Sequence, residues 1–308
     1  MTALAPLPIG AARRIVFLGT PDVAVPPLRA LVAAGVEIAL VITRPDKRRG
    51  RGSATSPSPV KAAAIELGLP VSHDLAQCTT VGADLGVVVA YGRIIPMSVL
   101  AQLPMINVHF SLLPRWRGAA PVERALLAGD RETGICIMRV EEGLDTGEVF
   151  ERVVVPIRDD HTLSSLRHDL VTAALEPLVH AVTQGCGVGQ AQTGVATHAA
   201  KIDPSELRVR WTDAPRQVVG LSRLESAWFE HSGKRIRLLA AEVAEAATVG
   251  GDAPGAVLGV RRDGVLVKCG DGAVLVTTVQ PEGKSAMTAS AWANGARLTE
   301  SAEVVSLA

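Results

Sequence analysis

The sequence is poor in aromatic side chains, with one tyrosine, four phenylalanines and four tryptophans among 308 residues. Hydrophobic residues nevertheless make up 48% of the chain, so the core must be aliphatic, as is typical of valine-rich parallel sheets. Long apolar runs are missing as well. Because a membrane-spanning helix needs about 20 consecutive apolar residues, a transmembrane enzyme is excluded. The first dozen residues also lack the charged and apolar regions of a signal peptide.

Paired cysteines and an excess of either charge are absent too. The cysteines, at positions 78, 136, 186 and 269, form no Cys-x-x-Cys pair, which argues against a zinc knuckle or a disulfide framework and for a reduced, cytoplasmic protein without a metal. Basic and acidic side chains are equal in number, 31 of each, so any case for nucleic acid must be local. No Gly-x-Gly-x-x-Gly or Walker motif occurs, which disfavours a nicotinamide or nucleotide enzyme.

The order of predicted elements indicates two domains. Strands and helices alternate at the start, with strands at 14–19, 37–43 and 84–90 and helices at 23–34 and 60–67. Such a βαβ pattern predicts a parallel, right-handed unit. Further strands at 133–140 and 149–156 and a helix at 162–184 follow, whereas short strands separated by glycine turns dominate from about residue 234.

The predicted class is therefore α/β, with an N-terminal Rossmann-like parallel-sheet domain and a small C-terminal β-barrel of the OB-like kind. The expected boundaries are a disordered lead-in at 1–12, a first domain at 13–188, a linker at 189–206 and a second domain at 207–308.

Two polar residues end an apolar run that breaks at Pro114. Asn107 and His109 are two positions apart, so in an extended strand their side chains project from the same face. Ligands of open parallel sheets bind beyond the carboxyl ends of the strands, where this pair is expected. The side-chain amide of asparagine can donate a hydrogen bond to a carbonyl oxygen, and histidine can accept and donate a proton. On the pair alone, a turn asparagine and a hydrogen-bonded core histidine are equally acceptable.

A glycine-bracketed loop, Glu141–Glu148, follows the strand at 133–140 and has Asp145 at its centre. Taken alone, Asp145 is best interpreted as an Asx-turn residue. If the loop lies at the same strand-end edge as His109, however, the carboxylate can reach the imidazole, as a histidine acid or base requires.

A basic loop follows the second strand. Residues 44–52 hold five basic side chains and one acidic one, in a stretch too rich in glycine and proline for a helix or strand. Such runs are usually solvated surface loops. Because this basic loop is expected at the sheet edge that carries Asn107 and His109, it is also a candidate to bind a phosphate backbone.

Several motifs resemble those of the methionyl-tRNA formyltransferase family over nearly the whole chain. They lie at Phe17–Asp22, Arg44–Lys47, Ser58–Lys61, Ala90–Gly92, Asn107, His109, Ser111–Pro121, Gly143–Gly147 and Pro281–Met287. The combination of Asn107, His109 and Asp145 alone fits any folate-dependent formyltransferase, and the basic loop together with the C-terminal β domain favours the tRNA enzyme.

The resemblance implies formyl transfer from 10-formyltetrahydrofolate to the α-amino group of methionyl initiator tRNA, for translation initiation, without a metal. Asn107, His109 and Asp145 would be the catalytic residues. The implied folate-binding residues are Tyr91, Ile94, Ser111, Leu112, Leu113, Pro114, Glu141 and Gly143. The implied tRNA-binding residues are Arg44, Lys47, Arg48, Arg49 and Arg51, with further tRNA contacts in the C-terminal domain. We expect a monomer.

Two alternatives stay open at this point. A folate formyltransferase acting on a small amine, such as a nucleotide or amino sugar, would be indifferent to removal of the residues beyond about Pro204. An RNA-binding protein whose sheet domain no longer catalyses would fail to bind folate.

Overall fold

The computed structural model describes residues 3–48, 55–244 and 253–298. They form two compact units. One comprises the chain up to Pro121 together with Glu132–Pro156 and Arg167–Ala200, and the other comprises Val122–Arg131, Ile157–Leu166 and the chain from Lys201 onward. No helix among the described residues is both long and apolar enough to cross a membrane.

The first part of the chain alternates strands and helices. Its elements are β1 (Arg14–Gly19), α1 (Val25–Ala33), β2 (Glu37–Ile42), β3 (Lys47–Arg48), β4 (Thr55–Ser56), α2 (Pro59–Glu66), β5 (Val71–Ser72), β6 (Leu85–Val89), α3 (Met97–Leu100), β7 (Met105–His109), β8 (Arg117–Gly118), α4 (Pro121–Ala128), β9 (Glu132–Arg139), β10 (Val149–Pro156), α5 (Leu163–Thr183) and β11 (His198–Ala199).

Seven of these strands form one sheet in the order β10-β9-β7-β6-β1-β2-β5. The five strands from β7 to β5 are parallel, whereas β9 runs antiparallel to β7 and β10 antiparallel to β9. Strand β6 is central, as its uninterrupted apolar run predicts, and all five of its residues are buried. The predicted fold class is confirmed for this unit.

The remaining elements are α6 (Pro215–Ser222), β12 (Trp228–His231), β13 (Lys234–Val243), β14 (Val257–Val260), β15 (Val265–Lys268), β16 (Ala273–Pro281), β17 (Met287–Thr288) and α7 (Ala289–Ala296). The strands form an antiparallel sheet in the order β12-β13-β16-β15-β14, with β17 pairing with β16. The expected C-terminal β structure is confirmed as a half-barrel, and β12 and β14 are its two edges in the part of the chain that the structure describes.

Two expectations about irregular segments need correction. Residues 3–12 are not a disordered lead-in, because Ala5 and Ala12 are buried and their backbone N–H groups donate to the carbonyls of Leu100 and Val182. The basic loop is not free of strand structure either. Strand β3 pairs with β4 through Lys47 with Ser56 and Arg48 with Thr55, and these two pairs form a short ladder at the base of the loop.

Candidate active site

Strand β7 presents Asn107 and His109 on one face of the sheet. Its neighbours are β6 on one side and β9 on the other, with Asn107 opposite Met138 and His109 opposite Cys136. His109 is only 5% exposed, while Asn107 is half-buried. None of the described residues hydrogen-bonds to the side-chain amide of Asn107, so this amide remains available to a ligand.

His109 is fixed by the backbone of the loop that follows β7. Its Nε2 lies 2.9 Å from the carbonyl oxygen of Trp116, and because a carbonyl only accepts hydrogen bonds, Nε2 is the donor. Trp116 has a φ of 61°, a left-handed conformation that is rare for a bulky residue, and its N–H donates to Thr197 Oγ1 at 2.8 Å. With Nε2 engaged, Nδ1 is the ring atom that can exchange a proton.

Asp145 faces that ring nitrogen. Its Oδ2 lies 3.6 Å from His109 Nδ1, and its side chain is 14% exposed. The same oxygen accepts a 2.8 Å hydrogen bond from the N–H of Gly118. A separation of 3.6 Å is too long for a direct hydrogen bond, so the carboxylate acts on His109 through charge.

The route by which Asp145 reaches His109 differs from the expected one. Because β9 is antiparallel to β7, its last residue, Arg139, pairs with Ile106 and not with the end of β7. The loop after β9 therefore starts about three residues, or about 10 Å, short of the His109 level. It turns back along the sheet to bring Asp145 to the imidazole. The prediction that this loop follows a carboxyl end at the same edge is wrong, although the predicted proximity is found.

Two glycines let the loop after β9 and strand β8 approach each other closely. Gly118 has a φ of 122°, and a Cβ there would lie 2.8 Å from the carbonyl oxygen of Ala199. A Cβ at Gly147 would collide with the carbonyl of Arg139. Both positions therefore require glycine if the carboxylate of Asp145 is to meet the N–H of Gly118.

The segment expected to be a linker takes part in this arrangement. Strand β11 pairs in parallel with β8, Thr197 accepts from Trp116, and Gln192 donates to the carbonyls of Asp145 and Gly147. Sequence reasoning missed Gln192 and Thr197. A polar, glycine-rich stretch carries no periodicity that could have placed them.

The residues expected to bind folate fall into two groups. Those around β7 are largely internal: Ser111 Oγ donates to the carbonyl of Arg115 at 2.6 Å, and Leu113 packs with Cys136, Met138 and Val149. Leu112 and Pro114 are partly exposed. The first group can therefore offer backbone and partly exposed side chains, with Ser111 and Leu113 stabilising the loop that bears them.

The second group lies in the loops after β6 and β9. Tyr91 is buried in the aliphatic core, where burial raises the pKa of its hydroxyl, so its ring cannot line an open surface. Ile94, by contrast, is 84% exposed. Glu141 is half-buried and Gly143 is exposed.

Thiol chemistry is not favoured. Burial raises the pKa of Cys136, which is paired with His109 across the sheet, and raises the pKa of Cys78, Cys186 and Cys269 to about 11. A thiolate is the nucleophilic form of cysteine, so these thiols are poor nucleophiles at neutral pH. Within the described ranges, no three His, Cys, Asp or Glu side chains are grouped to hold a metal ion.

Side-chain contacts hold the two ends of the basic loop in place. Thr43 Oγ1 and Ser58 Oγ are 2.8 Å apart in a buried pair, and Lys61 Nζ bonds to Asp46 Oδ2 at 2.8 Å. Arg44 lies near the loop after β6, since a Cβ at Gly92 would be 3.9 Å from its Nη1.

The other expected tRNA contacts of this loop are only partly described. Lys47 and Arg48 are described as the backbone of β3, and Arg49 and Arg51 lie outside the described residues.

A basic groove lies on one face of the C-terminal sheet. Cross-strand pairs place Trp228 opposite Arg237, which is opposite Gln280, and Glu230 opposite Arg235, so these side chains share a face. The alternate positions Phe229, Ile236, Leu238 and Val279 are buried. The guanidinium groups of Arg208 and Arg235 lie 5.5 and 4.1 Å from the centroid of the Trp228 ring.

The groove has a volume of about 650 Å³, and its lining combines the guanidinium groups of Arg235 and Arg237 with the carboxylate of Glu282. Arg208, whose guanidinium lies 3.6 Å from Glu230, is placed beside the groove by its contact with Trp228. The lining residues are Pro204, Ser205, Leu207, Ser226, Trp228, Arg235, Arg237, Gln280, Pro281, Glu282 and Gly283. A stacked guanidinium keeps its donors oriented, as phosphate recognition requires.

The fold and the site define the class as a folate-dependent formyltransferase. The formyl transferase family matches residues 13–182, and the C-terminal domain of formyl transferases matches residues 201–297. The chain is 45% identical over 303 residues to the methionyl-tRNA formyltransferase of Ruegeria pomeroyi, covering 92% of this chain and 97% of that protein. It is 41% identical to that of Symbiobacterium thermophilum, covering 92% of both. The chain belongs to the methionyl-tRNA formyltransferase family.

Solved structures of lower identity share the fold. HypX from Aquifex aeolicus, in a complex with tetrahydrofolic acid, superposes with a TM-score of 0.60 and 19% identity, covering 92% of this chain and 47% of that one. An N-formyltransferase from Helicobacter canadensis gives a TM-score of 0.65 at 13% identity, covering 87% and 99%.

Proposed function

We propose that this protein transfers the formyl group of 10-formyltetrahydrofolate to the α-amino group of methionyl initiator tRNA, with Asn107, His109 and Asp145 as its catalytic residues. The observation that carries the proposal is the convergence of these three side chains at β7, in a chain of the methionyl-tRNA formyltransferase family. Each has the residue type that formyl transfer needs.

The nucleophile requires little activation. A free α-amino group has a pKa near 8, and esterification to tRNA lowers it, so the neutral amine is available near pH 7. Its attack on the formyl carbon forms a tetrahedral oxyanion. The unpaired amide of Asn107 donates to this oxygen, and a donor placed in this way contributes about 10²–10³ in rate.

The proton path uses the free side of His109. Because Nε2 donates to the carbonyl of Trp116, Nδ1 is the atom that faces the reaction, and the Asp145 carboxylate lies 3.6 Å from it. The amine loses a proton as the new C–N bond forms, and the folate N10 gains one as the old C–N bond breaks. His109 Nδ1 relays that proton, directly or through a water molecule.

Exposed apolar groups beside this machinery suit the ring system of a folate. Ile94 in the loop after β6 and Leu144 in the loop after β9 are 84% and 60% exposed. Covering such side chains with an aromatic ligand removes apolar surface from water at both places. The other proposed folate contacts are the backbone of 111–114 and the loop positions Tyr91, Glu141 and Gly143, with Tyr91 contributing through its backbone.

The tRNA is bound by two basic surfaces, one on each unit. Residues 13–188 form the proposed catalytic domain, with the basic loop at Arg44–Arg51 contacting phosphates, and residues 207–308 form the proposed tRNA-binding domain. The groove around Trp228 is the surface of that domain best suited to RNA, because Arg208 and Arg235 stack on the indole and Arg237 lies on the same face. The trio comes from a single chain, which supports an enzyme that acts as a monomer, and a tRNA substrate supports a cytoplasmic one.

The direct test is transfer of labelled formyl from 10-formyltetrahydrofolate, with methionyl initiator tRNA, free methionine and glycinamide ribonucleotide as parallel acceptors. We expect label on the charged tRNA alone. Label on a small amine would retain the trio and overturn the tRNA substrate. Binding of folate with no label on any acceptor would overturn catalysis.

Removing positive charge from either basic surface should weaken tRNA binding in a salt-dependent way. The variants are a triple change at Arg48, Arg49 and Arg51 to alanine, and a double change at Arg235 and Arg237 to alanine. Each lost phosphate contact should lower the slope of log K against log salt by about 0.9. Binding measured between low and moderate salt provides both slopes.

The matched control is Arg262→Ala, which removes an exposed arginine from the turn between β14 and β15. Its slope should equal that of the unmodified protein. A triple or double variant with an unchanged slope would show that its surface is an ordinary solvated one.

A further inference from the structure

Gln192 lies in the stretch between α5 and β11, outside both matched family ranges. This stretch is attached to the sheet at both ends. Gln190 exchanges two 2.9 Å backbone hydrogen bonds with Val149, and β11 pairs with β8. Gln192 is therefore held between the first residue of β10 and the strand that carries Gly118.

The side-chain amide of Gln192 uses its whole hydrogen-bonding capacity. Its Nε2 donates to the carbonyl oxygens of Asp145 and Gly147, each at 2.8 Å. Its Oε1 accepts from Arg117 Nε at 3.0 Å and from Nη2 at 2.7 Å. A single side chain thus joins the Asp145 loop to β8.

This connection complements the one made by Gly118. The carboxylate of Asp145 accepts from the N–H of Gly118, whereas Gln192 holds the main chain on both sides of Thr146. Asp145 has a φ of 53°, a left-handed conformation that is uncommon for a non-glycine residue, although less so for aspartate, and contacts with neighbouring groups help to maintain it. Glu142, Gly143 and Leu144 of the same loop are exposed, so little of the loop's own packing enforces it.

Glutamate, lysine and asparagine would not make the same hydrogen bonds as Gln192. Glutamate has no N–H to donate to the two carbonyls, lysine has no acceptor for Arg117, and asparagine is one methylene shorter. The requirement is for an amide at this reach.

We infer that Gln192 is a positioning residue, which sets the place of the Asp145 carboxylate at His109 Nδ1 through the backbone of the 141–148 loop. The inference rests on the proposed function for its kinetic readout. Its structural readout, the exchange behaviour of the loop, does not depend on the reaction.

The kinetic test uses Gln192→Met, which keeps the size of the side chain and removes its hydrogen bonds, and Gln192→Glu, which keeps the acceptor for Arg117 and removes both donations. Both should lower kcat for formyl transfer by about 10- to 100-fold, since small misplacement of a catalytic group costs rates of that order. KM for the tRNA should change little. Gln190→Met, with an exposed side chain in the same segment, is the matched control.

A double-mutant cycle separates positioning from a general loss of structure. On an Asp145→Asn background, Gln192→Met should have almost no further effect on kcat, because the group it positions has been removed. An equal fold-loss in both backgrounds would overturn the inference.

Hydrogen exchange supplies the reaction-independent test. Amides of residues 141–148 should exchange faster in Gln192→Met than in Gln190→Met, while those of β6 and β7 stay protected. Unchanged exchange in the loop would overturn the inference. A protein that formylates no acceptor would overturn the proposed function and leave this comparison intact.

Discussion

Replacing His109 by alanine is expected to lower kcat for formyl transfer by about 10³-fold while leaving the Kd for tRNA within a factor of about two. The substitution removes the proposed proton relay at Nδ1, for which general acid–base catalysis supplies about 10²–10⁴. Because His109 is 5% exposed, it offers almost no surface to the body of a tRNA. Single-turnover kinetics and filter binding measure the two quantities.

The matched control is His180→Ala, which removes an exposed histidine from the last turn of α5. Its kcat should equal that of the unmodified enzyme. Thermal unfolding should show that His109→Ala remains folded. A parallel loss of tRNA binding and of unfolding temperature would mean that His109 is a structural core residue, the alternative that the sequence left open.

Replacing Asp145 by asparagine is expected to reduce kcat by about 10²–10³-fold through charge alone. The amide oxygen of asparagine can still accept from the N–H of Gly118, which Asp145 Oδ2 now does at 2.8 Å, so the loop should keep its place. What is lost is the negative charge 3.6 Å from His109 Nδ1.

The loss should occur without a change in the loop, because asparagine can keep the hydrogen bond from the N–H of Gly118. Amide hydrogen exchange of residues 141–148 in Asp145→Asn checks this expectation. Glu151→Gln, which removes an exposed carboxylate from β10, should leave both kcat and the exchange of the loop unchanged. Faster exchange in the loop of Asp145→Asn would indicate that Asp145 contributes loop structure and not charge.

The sequence predicted the parts of the site that depend on local pattern. The two-residue spacing of Asn107 and His109 on an apolar run was sufficient to predict a shared face, and the glycines around Asp145 were sufficient to predict a loop. The direction of β9 was beyond reach, because a buried strand has the same apolar pattern whether it runs parallel or antiparallel. The expected edge for Asp145 was wrong for that reason.

Contacts made by isolated polar residues were not predictable either. Gln192 and Thr197 stand in a stretch without periodicity, and their roles depend on which carbonyls and N–H groups the fold brings within 3 Å. The left-handed conformation of Trp116 is likewise imposed by tertiary contacts and not by its residue type. Residues 3–12 resemble a flexible tail in composition, yet small alanines at positions 5 and 12 fit into buried places.

The return of the chain after α5 limits how this enzyme can be divided. The stretch between the two matched family ranges looks like the natural place to exchange one domain for that of a relative, or to cut the protein in two. It carries Gln192 and Thr197, which fasten the Asp145 loop and the backbone of Trp116. In a chimera joined at residue 188, the C-terminal parent would supply the contacts that hold the proposed catalytic residues in place. A junction after Ala199 would keep those contacts together with the sheet domain, whereas a junction at the end of α5 would not.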